Sequence, residues 1–299
     1  MNFKITHKQL LAQDIKRIDI HAPMVASKVA PGQFVMVKVN ANTHSVPMSV
    51  VDSDEKRGVI SLIVHEVGLA TKALGELSIG QSPFNLVGPL GKPAVIDKFG
   101  LVVSIATGIG VAQILPLCRA LKKKGNKVIG IVGAKSKKVL MLESQMRVVC
   151  DEIVITTNDG SYERKGLATE ILKDLLNRYK INCVYATGSV DMMQAASEMT
   201  KLKGIPIYVT LNPHMTNGLG LCGSCRVKVG GCFQLACVDG PQFNGHEVDF
   251  TDLNIRMKAC LPGRQALKET GWGNQNLLTR TPRKDLATLV KSLWVLPKK

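Results

Sequence analysis

Along residues 1 to about 97 the apolar positions come in short runs broken by turn residues. Phe3 to Thr6, Asp14 to Ala22, Gln33 to Val39, Pro47 to Asp52 and Val59 to Val67 read as strands. Leu69 to Leu77 reads as a short helix, and the segment closes on Leu86-Val87-Gly88-Pro89-Leu90-Gly91. Several strands with turn signals between them predict a small antiparallel β-barrel. From Leu101 the period changes. Strand-like runs at Leu101 to Ala106, Lys127 to Gly133, Glu152 to Thr157, Asn182 to Ala186 and Pro206 to Leu211 alternate with helical patterns. Those patterns lie at Val111 to Lys124, Leu140 to Val149, Leu167 to Tyr179 and Met192 to Lys203. The alternation predicts an α/β unit with a doubly wound parallel sheet, which takes its ligands at the carboxyl ends of the strands.

The stretch Met215 to Phe243, MTNGLGLCGSCRVKVGGCFQLACVDGPQF, breaks both patterns. Cys222 and Cys225 form a C-x2-C pair, and Cys237 follows after eleven intervening residues. Thiolates at this spacing converge on one metal centre if the glycines at 218, 220, 223, 230 and 231 let the backbone wrap around it. Iron-sulfur and zinc are the candidates for three soft ligands. The plant-type two-iron pattern places a first ligand five positions before the pair, which here is Asn217. The fourth ligand therefore has three candidates: Asn217, Cys232, or a group from elsewhere in the fold. Asn217-Gly218 is also a tight-turn dipeptide in its own right. Cys222, Cys225, Cys232 and Cys237 would close a zinc site, although paired C-x2-C knuckles are the usual zinc signature and only one pair is present.

Composition changes the picture little. At 299 residues the chain has room for several cores, and 45% hydrophobic with 21% charged residues is ordinary for a soluble protein. No apolar run nears the length of a membrane span, and the N-terminus lacks a signal-peptide pattern, so a cytoplasmic protein is expected, with no membrane partner. Eight scattered cysteines do not form a disulfide framework. Cys118, Cys150 and Cys183 sit in apolar segments and read as buried small hydrophobes. The net charge of +16 would suit nucleic acid, but ten Lys/Arg against two acids fall between Arg256 and Lys299. Aromatics are only 4%, so stacking platforms are lacking and no nucleic-acid partner is expected. That basic tail, with Trp272, Trp294 and a helical pattern at Asp285 to Leu296, suits an acidic protein surface or a partly ordered terminus.

The turn after the first strand of the second unit reads Thr107-Gly108-Ile109-Gly110-Val111-Ala112-Gln113. Two glycines there let the backbone approach a pyrophosphate at a helix N-terminus, although Gln113 replaces the third glycine of the fingerprint.

With these motifs the chain resembles the ferredoxin-NADP reductase superfamily over about residues 1 to 255. The resemblance rests on Pro31-Gly32-Gln33-Phe34-Val35, Pro47-Met48-Ser49, Glu66-Val67-Gly68 with Thr71, and Gly88-Pro89-Leu90-Gly91. Two branches are most similar: the electron-transfer subunit of dihydroorotate dehydrogenase, and the small subunit of NADH-dependent reduced ferredoxin:NADP oxidoreductase, also called sulfide dehydrogenase. Val238-Asp239-Gly240-Pro241-Gln242-Phe243 and Val248-Asp249-Phe250 resemble the second.

The resemblance implies FAD, NAD(P)H and a [2Fe-2S] cluster as cofactors, and a flavin-binding barrel over 1–97. It further implies a nucleotide domain over 98–211 and a cluster module over 212–255, leaving 256–299 as the tail. Pro47, Met48 and Ser49 would lie against the isoalloxazine, with His65 beside it, and Gly68 and Thr71 near the pyrophosphate. Gly108, Gly110, Gly188, Asp191 and Met192 would take the nicotinamide nucleotide, and Cys222, Cys225, Cys237 and Asn217 the cluster. No acid-base residue is implied.

Several positions depart from the family. Arg is usual two residues before Pro47, where this chain has Ser45, so a bidentate phosphate partner is missing; His44 and Lys72 are the nearby substitutes. Residue 217 is cysteine in one branch and aspartate in the other. Lys135, Lys137 and Lys138 are placed for a 2'-phosphate or for solvent. The implied function is relay of electrons between NAD(P)H and a larger iron-sulfur flavoprotein subunit, with ferredoxin a further candidate partner. The alternatives are the dihydroorotate branch and a non-catalytic relative that has lost its flavin.

Overall fold

The computed structural model describes residues 3–259. Of these, residues 3 to 256 form one compact unit. The expectations for Trp272, Trp294 and the basic tail lie outside the described residues.

The first 90 residues form β1 (Ile5–Ala12), β2 (Ile15–His21), α1 (Pro23–Ala26), β3 (Phe34–Lys38), β4 (Val46–Asp54), β5 (Val59–His65), α2 (Leu69–Glu76) and β6 (Asn85–Leu90). The six strands pair antiparallel in the order β1-β2-β5-β4-β3-β6. Alternate residues point inward, so Ile18, Ile20, Val35, Val37, Val50, Ile60, Leu62 and Val64 make one buried core. β1 runs six residues beyond the predicted Phe3 to Thr6 strand, because pairing with β2 continues as far as Ala12↔Ile15. Its outward residues are mostly polar, and a half-exposed edge strand leaves little hydrophobic pattern to read.

The second unit runs β7 (Leu101–Thr107), α3 (Gly110–Lys123), β8 (Lys127–Ala134), α4 (Glu143–Val149), β9 (Glu152–Thr157), β10 (Arg164–Lys165), α5 (Ala168–Arg178), β11 (Cys183–Thr187), α6 (Val190–Leu202) and β12 (Ile207–Thr210). Each predicted strand and helix of this part is present with small shifts at its ends; β10 was not anticipated. The sheet order is β10-β9-β8-β7-β11-β12-β15, parallel from β10 to β12. The chain winds outward from β7 through β8 and β9, then returns to the other side at β11. The crevice between the ends of β7 and β11 is therefore the topological switch point where such sheets bind ligands.

The last described segment holds a two-stranded hairpin, β13 (Arg226–Val229) and β14 (Cys232–Leu235), then β15 (Gln242–Asn244) and α7 (Phe250–Ala259). β15 joins β12 antiparallel as the edge of the large sheet. This segment is also fastened to the barrel, through Lys92 N–H to Gly240 O (2.6 Å) and Val95 N–H to the Gln242 side chain (2.9 Å). It lies against both larger units.

Candidate electron-transfer site

The hairpin brings two of the sulfurs together. Arg226 pairs with Leu235, and Ala236 N–H donates to Cys225 O (3.1 Å), so Cys225 and Cys237 meet at the closed base. Both are buried, at 1% and 2% exposure, and their sulfurs lie within hydrogen-bonding range of each other. Burial pushes the Cys237 thiol up to about 11, and the adjacent Cys225 sulfur adds to the rise.

Cys222 is exposed and stands on the preceding loop. The Ser224 hydroxyl beside it (3.1 Å), with backbone N–H groups of Ser224, Asn217 and Thr216, brings the Cys222 thiol down to about 7. Gly218, Gly220 and Gly223 take φ of 74°, 79° and 68°, a curl that side chains disfavour. Among the described residues no three His, Cys, Asp or Glu side chains gather round a single point as one metal ion would need. A close pair with a third sulfur standing off, with backbone N–H donors at Cys222 and Cys237, fits a two-iron cluster better than tetrahedral zinc.

Cys232 is exposed at the turn end of the hairpin, opposite Val229. Four strand steps separate it from the base, roughly 13 Å at the usual rise. This removes Cys232 as a fourth ligand and, with it, the four-cysteine zinc site. Asn217 Oδ1 accepts from Leu219 N–H (3.0 Å), so the side chain is engaged in the turn that the Asn-Gly dipeptide predicts.

Pro47, Met48 and Ser49 lie on β4, paired with Met36, Val35 and Phe34 of β3. Met48 turns into the barrel core (8% exposed), which leaves Pro47 and Ser49 on the outer face. A Cβ on Gly218 would lie 2.5 Å from Met36 Cγ and 2.9 Å from Leu90 Cδ1. The cluster loop thus packs on the strand residue whose partner across the ladder is Pro47. Met36 and Leu90 carry this contact with no signal in the sequence beyond their hydrophobicity.

His65 ends β5, half-buried, and Gly68 caps α2. Thr71 Oγ1 accepts from Gly68 N–H (3.0 Å) and so is tied into the cap. Val67 and Leu69 beside it are more than 60% exposed, leaving the turn open. His44 and Lys72 are both exposed, and no cation stands at Ser45 itself.

At the switch point, Gly108 has φ of 54° and open space where a Cβ would be. Gly110 is packed hard: a Cβ there would lie 2.5 Å from Thr187 O. Thr187 Oγ1 donates to Gly110 O (2.8 Å), tying β11 to the start of α3, and Ser189 N–H donates to Thr107 Oγ1 (3.2 Å), tying the residues after β11 to β7. Gly188 has φ of 143°, and a Cβ would fall 2.1 Å from Thr107 Oγ1. An open turn at a long helix N-terminus has backbone N–H groups available to an anionic group. Asp191 is exposed in the first turn of α6, whereas Met192 is 6% exposed and belongs to the core. The Met192 backbone N–H donates to the capping Ser189 Oγ (3.4 Å). Gln113 Nε2 donates to Asn212 Oδ1 (3.0 Å), bridging α3 to the start of the cluster segment. Of the lysine group, Lys137 lies over the Tyr162 ring (4.7 Å).

A flavin-type antiparallel barrel, a doubly wound sheet with a glycine turn, and a three-cysteine hairpin wedged against both define an electron-transfer protein of the ferredoxin-reductase class. Residues 2–94 match the oxidoreductase FAD-binding domain, and residues 212–249 match the iron-sulfur cluster binding domain of dihydroorotate dehydrogenase B. The chain is 35% identical over 254 residues to the dihydroorotate dehydrogenase B (NAD(+)) electron transfer subunit homolog of Thermotoga maritima, covering 85% of this chain and 90% of that one. It is 30% identical over 253 residues to the corresponding electron transfer subunit of Desulforamulus reducens, covering 82% and 96%. The chain belongs to the family of the dihydroorotate dehydrogenase B electron transfer subunits and their homologues. A chain from the solved NADH-dependent reduced ferredoxin-NADP oxidoreductase, studied for flavin-based electron bifurcation, superposes with TM-score 0.82 at 34% identity, covering 86% of this chain and 93% of that one. Phthalate dioxygenase reductase, at 16% identity and TM-score 0.57, shares the fold. Among the described residues no helix is long and apolar enough to cross a membrane.

Proposed function

We propose that this chain relays electrons between NAD(P)H and a larger iron-sulfur flavoprotein subunit in the cytoplasm. Its parts are the flavin barrel (1–97), the nucleotide domain (98–211), the cluster module (212–255) and a basic tail that meets the partner. When bound, flavin exchanges two electrons with a nicotinamide and passes them on singly, and the cluster carries one at a time. The chain's own residues hold and align these groups.

Gly108 would leave room for the pyrophosphate at the α3 N-terminus, while Gly110 and Gly188 let α3, β7 and β11 close up to form that site. Asp191 and the Met192 backbone border the ribose side. Pro47 and Ser49 present the flavin surface, with the Met48 backbone between them and His65 at its rim, while Gly68 and Thr71 border its phosphates. Cys222, Cys225 and Cys237 hold the cluster, with residue 217 the candidate for its remaining position. The observation that carries this reading is the seat of Gly218 on Met36, one ladder step from Pro47.

Among the known branches, the ferredoxin-NADP oxidoreductase type is the one we assign, on the resemblance of Val238 to Phe243 and Val248 to Phe250 to that branch and on the superposition at TM-score 0.82. NADH is the assigned donor, since Lys137 is engaged by Tyr162. The dihydroorotate branch is the second reading, supported by the names of the relatives. Affinity isolation of the tagged full chain tests the choice: an orotate-forming partner selects the second reading, and a larger iron-sulfur flavoprotein selects the first. Anaerobic titration with NADH and with NADPH tests the donor, and faster reduction by NADPH would reverse that assignment.

A further inference from the structure

Ser224, between the two cysteines of the C-x2-C pair, has an unusually determined hydrogen-bond pattern. Its Oγ accepts from Thr216 N–H at 3.2 Å and from Thr216 Oγ1–H at 3.1 Å. Those two bonds use both lone pairs of the hydroxyl, and one hydrogen remains. Among the described residues, the remaining neighbour of the oxygen is Cys222 Sγ, at 3.1 Å. A sulfur bound to iron is a thiolate without a proton, so in the loaded protein the bond runs in one direction, from Ser224 to Cys222.

We infer that Ser224 is a positioning residue that sets the reduction potential of the cluster by donating its hydroxyl hydrogen to the Cys222 sulfur, with Thr216 holding the hydroxyl in that orientation. The inference rests on the cluster reading above. Reduction adds negative charge that spreads onto the ligating sulfurs, so a fixed donor stabilises the reduced state more than the oxidised one and raises the potential. The same occupied lone pairs argue against Ser224 as the missing fourth ligand, since a ligand needs one of them for the metal. Ser224 and Thr216 are both exposed, so substitution there leaves the core untouched.

The test uses the full chain reconstituted anaerobically with iron and sulfide, iron quantitation, and a redox titration followed by electron paramagnetic resonance. Ser224→Ala is expected to hold as much iron as wild type, with the cluster midpoint shifted to more negative potential. Ser224→Thr, which keeps the hydroxyl, is expected to return the midpoint to the wild-type value, and Thr216→Val to fall between the two. A midpoint unchanged in Ser224→Ala overturns the inference. Loss of the cluster in Ser224→Ala with retention in Ser224→Thr also overturns it, by making the serine a ligand or a scaffold. Wild-type protein that binds no cluster refutes the parent reading instead, a result visible before any variant is made.

Discussion

The cluster end of this molecule and the flavin end are built on different plans. At the hairpin the donors are in place: register sets Cys225 beside Cys237, and glycines at positive φ curl the Cys222 loop with its N–H groups turned toward sulfur. On the barrel the surface around Pro47 and Ser49 is formed, but Ser45 stands where the family resemblance leads one to expect a phosphate-binding arginine. One site is defined by side chains close in sequence. The other depends on backbone shape, with no cation at position 45. The first should therefore tolerate little substitution, while the second should still have room to improve.

The largest effect is expected at the hairpin base. Cys225→Ser and Cys237→Ser should each lower the iron content of the reconstituted chain to near background, whereas Cys232→Ser, at the far end of the same hairpin, should leave it unchanged. Equal loss in all three would restore the four-cysteine site. Next comes the switch point. Gly188→Ala must take a φ of 143° and bring a Cβ within 2.1 Å of Thr107 Oγ1. A cost of about 1–3 kcal/mol is expected for such strain. Thermal unfolding and the rate of flavin reduction by NADH should both fall, while the iron content stays constant.

A smaller effect in the opposite direction is expected at Ser45→Arg. A charge-assisted contact to a phosphate is worth about 1.5–3 kcal/mol, so FAD should bind roughly 10- to 100-fold more tightly by fluorescence titration. Unchanged affinity would mean that another group already serves the phosphate. The subtlest test is pH. In the metal-free chain the Cys222 thiol, lowered to about 7, is a thiolate above that pH, so its alkylation should climb through neutrality. Cys237, pushed up to about 11, should stay unreactive there. A lowered acidic group favours the folded state in its charged form. The stability it adds is present above the ordinary thiol range and is lost as pH falls through about 7. Peptide mapping after alkylation checks the order of reactivity.

This contrast also explains what could be read beforehand. The α/β part was legible almost element by element, because strands buried on both faces form clear apolar runs between amphipathic helices. The apolar pattern marks only the start of β1, because its exposed residues, among them His7 and Gln9, carry little apolar signal. Spacing alone singled out Cys222, Cys225 and Cys237, and the structure brings the last two together at the hairpin base. Met36 and Leu90 were not legible, since a contact between a glycine in a late loop and two apolar residues of an early barrel leaves no local pattern. Ser224 stood in plain view inside the motif, but its role needed the position of Thr216. Thr107 and Thr187, which tie the end of β11 and the residues after it to α3 and β7, look like ordinary strand ends until the sheet order is known.

The central claim is that one polypeptide holds a flavin and a two-iron cluster close enough to share electrons. Its most direct test is the visible spectrum of the anaerobically reconstituted full chain, with flavin, iron and sulfide quantitation, before and after NADH. The account predicts about one FAD, two irons and two sulfides per chain, with flavin and cluster bands bleaching together. A colourless protein carrying zinc, or a flavin that bleaches while the cluster stays oxidised, would contradict it.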